Sequence, residues 1–194
     1  DFSIGVGYSS LNQANFTLGI NERNFLGTGR RLKVAFSTSG ENTDFTIGLT
    51  EPYFMGRDLS GSFDVFTRKD KSGDRTVDET GLSFGLGFAA ARDVYHRLRY
   101  DLSKSKTSVS STTATSDTGE EGKSLHGSSV AYTLSKDTRD SRFDPTKGYF
   151  LELDETVSGL GGDVKFLRTK LSPAYYKPLL LNSVILGLSG EVGH

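Results

Sequence analysis

The chain contains no cysteine among its 194 residues, so a disulfide framework and a cysteine-ligated metal are both excluded. It also lacks any apolar run of the about 18 residues that a membrane-spanning helix requires. The densest apolar stretches are only Phe88–Ala91 and Pro178–Leu181. The formal net charge of −1 is not the basic excess of a nucleic-acid-binding domain, and we expect no nucleic-acid partner.

The residues that are plentiful favour β-structure, with 23 Gly, 13 Phe and 8 Tyr. From Gly81 to Phe88, large apolar residues alternate with Gly and Ser, and this alternation recurs along most of the chain. A strand of this kind has one apolar face and one small or polar face. Because no other segment could cover the apolar faces, we expect them to contact membrane lipid while the small faces line a lumen. The negative mean hydropathy does not oppose this, since only every second residue of a barrel strand is apolar.

About eleven strands of this type can be traced, each near the length that a tilted membrane strand needs. We expect them at Phe2–Ser9, Asn15–Asn24, Arg31–Ser39, Thr43–Glu51, Leu59–Arg68, Gly81–Ala89, Arg97–Ser105, Ser128–Ser135, Tyr149–Val157, Lys165–Tyr176 and Ser183–Val192. Polar connections alternate with tighter ones that contain Pro and Gly. The polar set is Ser9–Asn15, Ser39–Asn42, Arg68–Glu79, Lys104–Ser128 and Ser158–Asp163. Because bacterial outer-membrane barrels place long loops outside the cell, we expect this set to be extracellular.

The sequence therefore predicts an all-β fold, a transmembrane antiparallel up-and-down β-barrel in the bacterial outer membrane. Residues 1–194 form one domain in this interpretation. Single-chain bacterial barrels close with an even number of strands, so an odd count predicts that the chain covers part of a larger barrel. The first residue is Asp and no signal peptide is visible, which favours a mature form or a piece of a longer protein.

Several enzyme-like sequence patterns occur without the structural context that their chemistry requires. Gly81–Gly85 spells G-x-S-x-G, but Ser83 lies in mid-strand rather than on a strand-to-helix turn. The dinucleotide-like run Gly85–Ala90 has no βαβ unit around it. The three histidines, His96, His126 and His194, are expected in loops or at the chain end, without metal spacing. We expect no catalytic residue, no metal site, no cofactor and no enzyme activity.

Three short segments are more specific than the strands around them. The first is Asn24, Phe25, Leu26, Gly27, Thr28 and Gly29; the second is Glu51, Pro52, Tyr53 and Phe54; the third runs from Asp137 to Gly148 and includes Arg139, Asp140, Arg142, Asp144 and Pro145. Gly and Pro at these places permit tight turns and end strand pairing, and the aromatic residues suit a membrane interface. Calcium binding by the third segment is disfavoured because two arginines lie among the carboxylates. We expect mutual ion pairs there instead.

These three segments, in this order and spacing, resemble the barrel of the Omp85 superfamily along essentially the whole chain. The resemblance implies an outer-membrane barrel of about sixteen strands, preceded by periplasmic POTRA domains, in a machine that folds other barrels. Unfolded outer-membrane proteins would be its clients and periplasmic accessory lipoproteins its partners. All three segments would lie on the periplasmic rim. The superfamily's V-R-G-F/Y motif is absent and would follow the last strand here, so the chain corresponds to the first two-thirds of the barrel.

In the resembled superfamily the first and last strands pair weakly and form a lateral gate. The corresponding edge here is Phe2, Ser3, Ile4, Gly5, Val6, Gly7 and Tyr8. Gly5 and Gly7 forgo side-chain packing and weaken ordering of the strand, and an exposed edge can template a client strand. Alternatively, both glycines simply make room in the lumen.

Other functions stay open at this point. A two-partner secretion transporter of the same superfamily and a passive porin-like channel are the main alternatives. Strands one, two, four and six have mostly Gly, Ser, Thr and Asn on their small faces, whereas a porin would be expected to ring its lumen with charge. Eleven strands exceed what a small eight-stranded anchor or a lipocalin-like binder needs.

Overall fold

The computed structural model describes residues 1–9, 13–109, 124–179 and 184–194. Its strands are β1 (Phe2–Ser9), β2 (Gln13–Phe25), β3 (Arg30–Thr38), β4 (Asn42–Glu51), β5 (Ser60–Ser72), β6 (Arg75–Ala91), β7 (Val94–Val109), β8 (Ser124–Asp137), β9 (Gly148–Ser158), β10 (Phe166–Leu179), β11 (Val184–Ser189) and β12 (Val192–Gly193). The first eleven follow one another in one sheet in chain order, and β12 pairs with β10. Every strand pair is antiparallel. The predicted all-β, up-and-down fold with eleven principal strands is confirmed.

One short 3₁₀ turn, Phe54–Gly56, interrupts the connection between β4 and β5. Within the described residues, no helix has the length and apolar character needed to cross a bilayer.

The sheet separates large apolar side chains from small and polar ones. On β6, Leu82, Phe84 and Leu86 lie on one side, which we call the apolar face, and are 38–47 % exposed. Ser83 lies on the other side, the polar face, and is 1 % exposed. Register extends the two faces across the sheet, since Phe84 lies opposite Phe63 and Tyr100 whereas Ser83 lies opposite Asp64 and Asp101.

The described residues contain almost no apolar core. Phe66 is the single buried hydrophobic side chain among them, at 5 % exposure, and its ring lies where a Cβ on Gly81 would be. An apolar surface that spans the whole sheet far exceeds the patches of a soluble monomer. The apolar face therefore requires contact with lipid, as the alternating pattern in the sequence predicts.

Two of the predicted connections are wrong. Arg68–Glu79 was expected to be a loop, but β5 and β6 continue through it and turn at Gly73, whose φ is +58°. Its charged residues pair across the strands, with Lys69 Nζ 3.8 Å from Asp78 Oδ1 and Arg68 Nη1 3.9 Å from Glu79 Oε2. Opposite charges on facing strand positions support pairing, so polarity there did not indicate a loop.

The other wrong connection is Lys104–Ser128, because β7 runs on to Val109 and β8 begins at Ser124. Its Ser/Thr-rich centre, 110–123, lies outside the described residues, as do 10–12 and 180–183. Strands β5 to β8 have 13 to 17 residues, more than the about 9–11 that cross a bilayer. Their polar ends therefore extend beyond the membrane.

The two ends of the strands form two rims. The motif rim consists of the connections 26–29, 52–59, 92–93 and 138–147, and it carries all three motif segments. The opposite rim carries the connections 39–41, 73–74 and 159–165. The shared rim agrees with the sequence-based expectation for the motifs.

Candidate functional site

Strand β1 is one edge of the sheet, and its backbone groups divide into two sets. The N-terminal ammonium of Asp1 donates to the carbonyl of Asn21 at 2.8 Å, and the amide of Asn21 donates back to the carbonyl of Asp1 at 2.8 Å. Residues that exchange two such bonds point their backbone at the partner strand, and the residues between them point away. The N–H and C=O groups that face the open edge are consequently those of Phe2, Ile4, Val6 and Tyr8.

The side chains of these four residues are more exposed than those of inner strands. Phe2 and Ile4 are 64 % and 61 % exposed, and Val6 and Tyr8 are 80 % and 82 % exposed. They lie on the apolar face, because Ile4 is opposite Leu18 and Val6 opposite Phe16. Within the described residues no strand pairs with β1 on this side, so its outward backbone groups are available to a further strand and are flanked by side chains suited to lipid.

The glycines of β1 have different surroundings. A Cβ on Gly5 would lie 3.8 Å from Cβ of Thr17, which is an ordinary contact. A Cβ on Gly7 would lie 2.6 Å from Oδ1 of Asn15, so Gly7 does make room for a neighbour. Lack of space does not explain Gly5, and its remaining physical effect is to loosen the strand.

The first motif forms a tight turn between β2 and β3. Leu26 and Gly27 have φ of +54° and +74°, as in the type I′ turns that match the twist of a hairpin. The carbonyl of Phe25 accepts from Thr28 N at 3.1 Å. Asn24 Oδ1 accepts from Gly29 N at 2.7 Å. Side chain and backbone together hold Leu26 in a conformation that costs a non-glycine residue energy.

The second motif is joined to the first by an ion pair. Arg30 Nε donates to Glu51 Oε2 at 2.6 Å, and Glu51 Oε1 accepts from Tyr53 N at 3.3 Å. Beyond Pro52, the ring of Phe54 packs on Gly61, where a Cβ would lie 2.8 Å from Cδ2 of the ring. Sequence reasoning missed Arg30 and Gly61. The only available signal was that Arg30 directly follows Gly29.

The third motif begins with the ion pairs that its residue types predicted. Arg139 donates to both carboxylate oxygens of Asp137, at 2.8 and 2.9 Å, and both side chains are 16 % exposed. Arg142 Nε lies 3.5 Å from Asp137 Oδ2. The guanidinium of Arg139 also lies over the ring of Phe150, 4.7 Å from its centroid. A bidentate pair with a cation–π contact fixes the end of β8.

Asp140 organises the rest of the third motif without an arginine partner. Its carboxylate accepts hydrogen bonds from the hydroxyl of Thr146 and from the amides of Thr146, Lys147 and Ser141. These donors, the Thr146 hydroxyl first, hold the pKa of Asp140 well below its ordinary value. The turn then passes Pro145 and ends at Gly148, where φ is +104° and a Cβ would clash with the carbonyl of Thr138. Only glycine fits there.

The rim brings the first two motifs into contact but leaves the third apart from them. Arg30 and Glu51 connect the first pair, whereas the third motif adjoins the β6–β7 turn, with Asp137 N donating to the carbonyl of Asp93 at 2.9 Å. Strands β6 and β7 lie between the two groups.

The histidine placements differ from expectation. His96 and His126 lie within β7 and β8 rather than in loops. His96 is on the apolar face, with its Nδ1 2.7 Å from the hydroxyl of Tyr132 and its ring stacked 5.1 Å from Phe88. Aromatic neighbours and a strand extending to Val94 explain its position. Among the described residues, no three His, Asp or Glu side chains converge as a metal site.

The polar face carries more charge than the sequence argument considered. Strands one, two, four and six have little charge on this face, but Arg31, Asp64, Arg97 and Arg99 line a cavity of about 450 Å³ beside β5, β6 and β7. Arg99 donates to Asp101 at 2.7 Å and to Ser83 at 2.8 Å. The low charge of four strands is therefore no argument against a channel.

Comparisons with known proteins agree with the fold. The model of the Omp85 superfamily domain matches residues 24–194. The chain is 29 % identical over 192 residues to outer membrane protein assembly factor BamA of Nitratidesulfovibrio vulgaris, which covers 94 % of this chain and 23 % of that protein. It is 23 % identical over 177 residues to sorting and assembly machinery component 50 homolog of Xenopus tropicalis, covering 90 % and 38 %.

Among solved structures, BamA from Haemophilus ducreyi lacking POTRA domains 1–3 has the same fold. The TM-score is 0.82 at 18 % identity, over the whole of this chain and 40 % of that one. The chain thus spans less than half the length of each relative. The sheet exposes a wide apolar face, and the chain is similar to outer membrane assembly factors. The protein is therefore integral to an outer membrane. The match over residues 24–194 confirms the assignment made from the three motifs, and the chain belongs to the Omp85 superfamily.

Proposed function

We propose that the complete protein is an outer-membrane β-barrel assembly and insertion factor of the BamA type, and that β1 is the edge at which client strands pair. The relatives named as assembly factors and as sorting and assembly machinery support the general role. The observation that carries the finer role is that the backbone groups of Phe2, Ile4, Val6 and Tyr8 face away from β2 and have no partner strand within the described residues.

The mechanism uses hydrogen bonding rather than covalent chemistry. A client strand entering lipid has unpaired amides, each of which costs several kcal/mol in hydrocarbon. Alternate residues of β1 offer N–H and C=O partners at the position where the client strand would add to the sheet. Pairing with β1 satisfies the backbone groups along one edge of the client strand, and so removes their cost in hydrocarbon before the client's barrel closes. No cofactor is needed for this step.

A loosely ordered edge suits such a template. Gly5 has space for a side chain but has none, and a Gly in a strand weakens it by roughly 0.5–1 kcal/mol relative to Ala. β1 can therefore separate from a neighbouring strand more readily than a fully packed strand could. This favours the gate interpretation over the alternative in which Gly5 only makes room.

The motif rim fits a docking surface for periplasmic accessory lipoproteins. Its turns are held by hydrogen bonds and ion pairs, yet they present large exposed apolar side chains. These are Leu26 at 82 %, Tyr53 at 66 %, Met55 at 81 % and Phe143 at 102 % exposure. Rigid turns with protruding apolar residues provide anchors that lose little entropy on binding.

Site-specific disulfide formation tests the templating edge. These 194 residues contain no cysteine, so none of them competes with an introduced cysteine. Val6→Cys in the complete protein is expected to cross-link to a cysteine in an entering client strand. Ile47→Cys is the matched control, because Ile47 lies on the same apolar face in the inner strand β4. Equal cross-linking at both positions would contradict templating by β1.

A passive channel is the second candidate, and the arginines of the polar face favour it. Arg31, Arg97 and Arg99 around one cavity are the kind of charge that selects ions. Single-channel recording of the complete protein separates the two functions, since a steady, large open pore would support the channel. A two-partner secretion transporter would instead export one substrate through its lumen and leave client barrels unassembled.

A further inference from the structure

A groove of about 570 Å³ lies on the apolar face where β4 to β7 run side by side. Its apolar lining comprises Leu49, Phe54, Phe63, Phe84, Leu86 and Leu98. Gly61, between Glu51 and Leu86 in the register, has no side chain on this face, and the ring of Phe54 occupies the place that a Cβ would take. The volume is within the range of about 300–1,000 Å³ typical of small-molecule sites.

The groove has a fixed wall at the motif rim. The Phe54 ring packs directly on Gly61, so that a Cβ there would displace it. Phe63 and Phe84 form a further wall, with ring centroids 5.0 Å apart. A depression bounded by packed aromatic rings keeps its shape in the membrane better than gaps between flexible aliphatic side chains.

One end of the groove is ionic. Glu51 belongs to the lining and accepts from Arg30 Nε at 2.6 Å. The Arg30 side chain is 50 % exposed and that of Glu51 25 %. Arg30 begins β3 and Glu51 ends β4, so both lie at the motif rim, where the strands leave the membrane. The site therefore combines an apolar slot with one cation and one anion at headgroup depth.

We propose that this groove binds one phospholipid from the leaflet at the motif rim, with an acyl chain in the slot and an amine-bearing zwitterionic headgroup at Arg30 and Glu51. The charges are complementary, since a guanidinium pairs with the phosphate and a carboxylate accepts from the primary ammonium. The opening of the groove onto the lipid-facing surface favours a lipid over a protein occupant. This site does not depend on templating by β1.

Native mass spectrometry of the complete protein in mild detergent tests the proposal. Phosphatidylethanolamine and phosphatidylcholine with identical acyl chains are added separately. We expect one tightly held phosphatidylethanolamine per protein, retained at least tenfold better than phosphatidylcholine, whose quaternary amine cannot donate to Glu51. Arg30→Gln and Glu51→Gln are each expected to reduce this preference at least fivefold.

A pair of tryptophan variants tests the slot. Leu86→Trp fills the groove, whereas Leu82→Trp is on the same strand and face with nearly equal exposure, 39 % against 38 %. We expect Leu86→Trp to lower lipid retention at least fivefold and Leu82→Trp to leave it unchanged; Leu98→Trp replaces Leu86→Trp if the latter does not fold. Equal retention by the groove and control variants would overturn the proposal. So would equal retention of the two lipids by the native protein, or a co-purified polypeptide released by Leu86→Trp in place of lipid.

Discussion

Replacing both Ile4 and Val6 with Pro tests the template edge at the level of single hydrogen bonds. The backbone of these residues faces away from β2, so proline removes two edge N–H groups without breaking the β1–β2 ladder. Proline is tolerated on edge strands in this orientation. Two of the four edge donors between Phe2 and Tyr8 are then lost.

The expected magnitude follows from the net value of a hydrogen bond. At about 0.5–1.5 kcal/mol each, two bonds amount to about 1–3 kcal/mol, or a weakening of client pairing by about 5- to 150-fold. This is a lower bound in lipid, where an unpaired amide costs more. The assay is the rate at which a client barrel becomes folded in proteoliposomes that contain the complete protein.

The control for this experiment is the double variant Ile4→Ala and Val6→Ala. It also loses the side chains of Ile4 and Val6, but it keeps both backbone N–H groups. We expect it to assemble clients at close to the native rate. Heat-modifiable gel mobility establishes that both proteins carry equal amounts of folded barrel. Equal client rates for the proline and alanine proteins would refute the edge-template reasoning.

Three further predictions concern particular residues. Gly5→Ala should stabilise the ordered form of β1 by about 0.5–1 kcal/mol, because the new Cβ meets no clash. Slower hydrogen exchange of the β1 amides would show this, and unchanged exchange would mean that Gly5 does not loosen the strand. Gly148→Ala should destabilise the barrel by about 1–3 kcal/mol, because φ is positive there and the new Cβ would clash with the Thr138 carbonyl. Urea unfolding measures this loss, and Gly190→Ala, with open space around it, should not show it. The hydrogen bonds of Asp140 lower its folded pKa, so their contribution is complete above the ordinary pKa of about 3.9 and is lost as pH falls through the folded value. NMR shifts of the Thr146 and Lys147 amides should therefore show no inflection above pH about 4, and one near pH 5 would contradict this.

The strand order was predictable because each strand carries its own signal. Alternation such as that of Leu82, Phe84 and Leu86 fixes both the element and its face, and it needs no information from distant residues. The same local logic failed between Arg68 and Glu79. A charged pair such as Lys69 and Asp78 supports a strand only through its partner across the hairpin, and a window along the sequence does not contain that partner.

The site was predictable only in part for a related reason. Turn residues such as Gly27, Pro145 and Gly148 indicate their role locally, since positive φ or a fixed φ restricts the residue type. The ion pair of Arg30 with Glu51 joins residues 21 positions apart and depends on the register of β3 with β4. The packing of Phe54 on Gly61 likewise depends on how a turn folds back onto its own strand.

The burial of Phe66 alone among the hydrophobic side chains of the described residues has a consequence for how such a protein comes into existence. In water, folding would leave nearly all of its apolar surface wet while still ordering the backbone at about 1–2 kcal/mol per residue. The native sheet is therefore not a state that the chain can reach in aqueous solution and then deliver. Folding and insertion must be one event, and the bilayer supplies the driving force that an interior core supplies elsewhere.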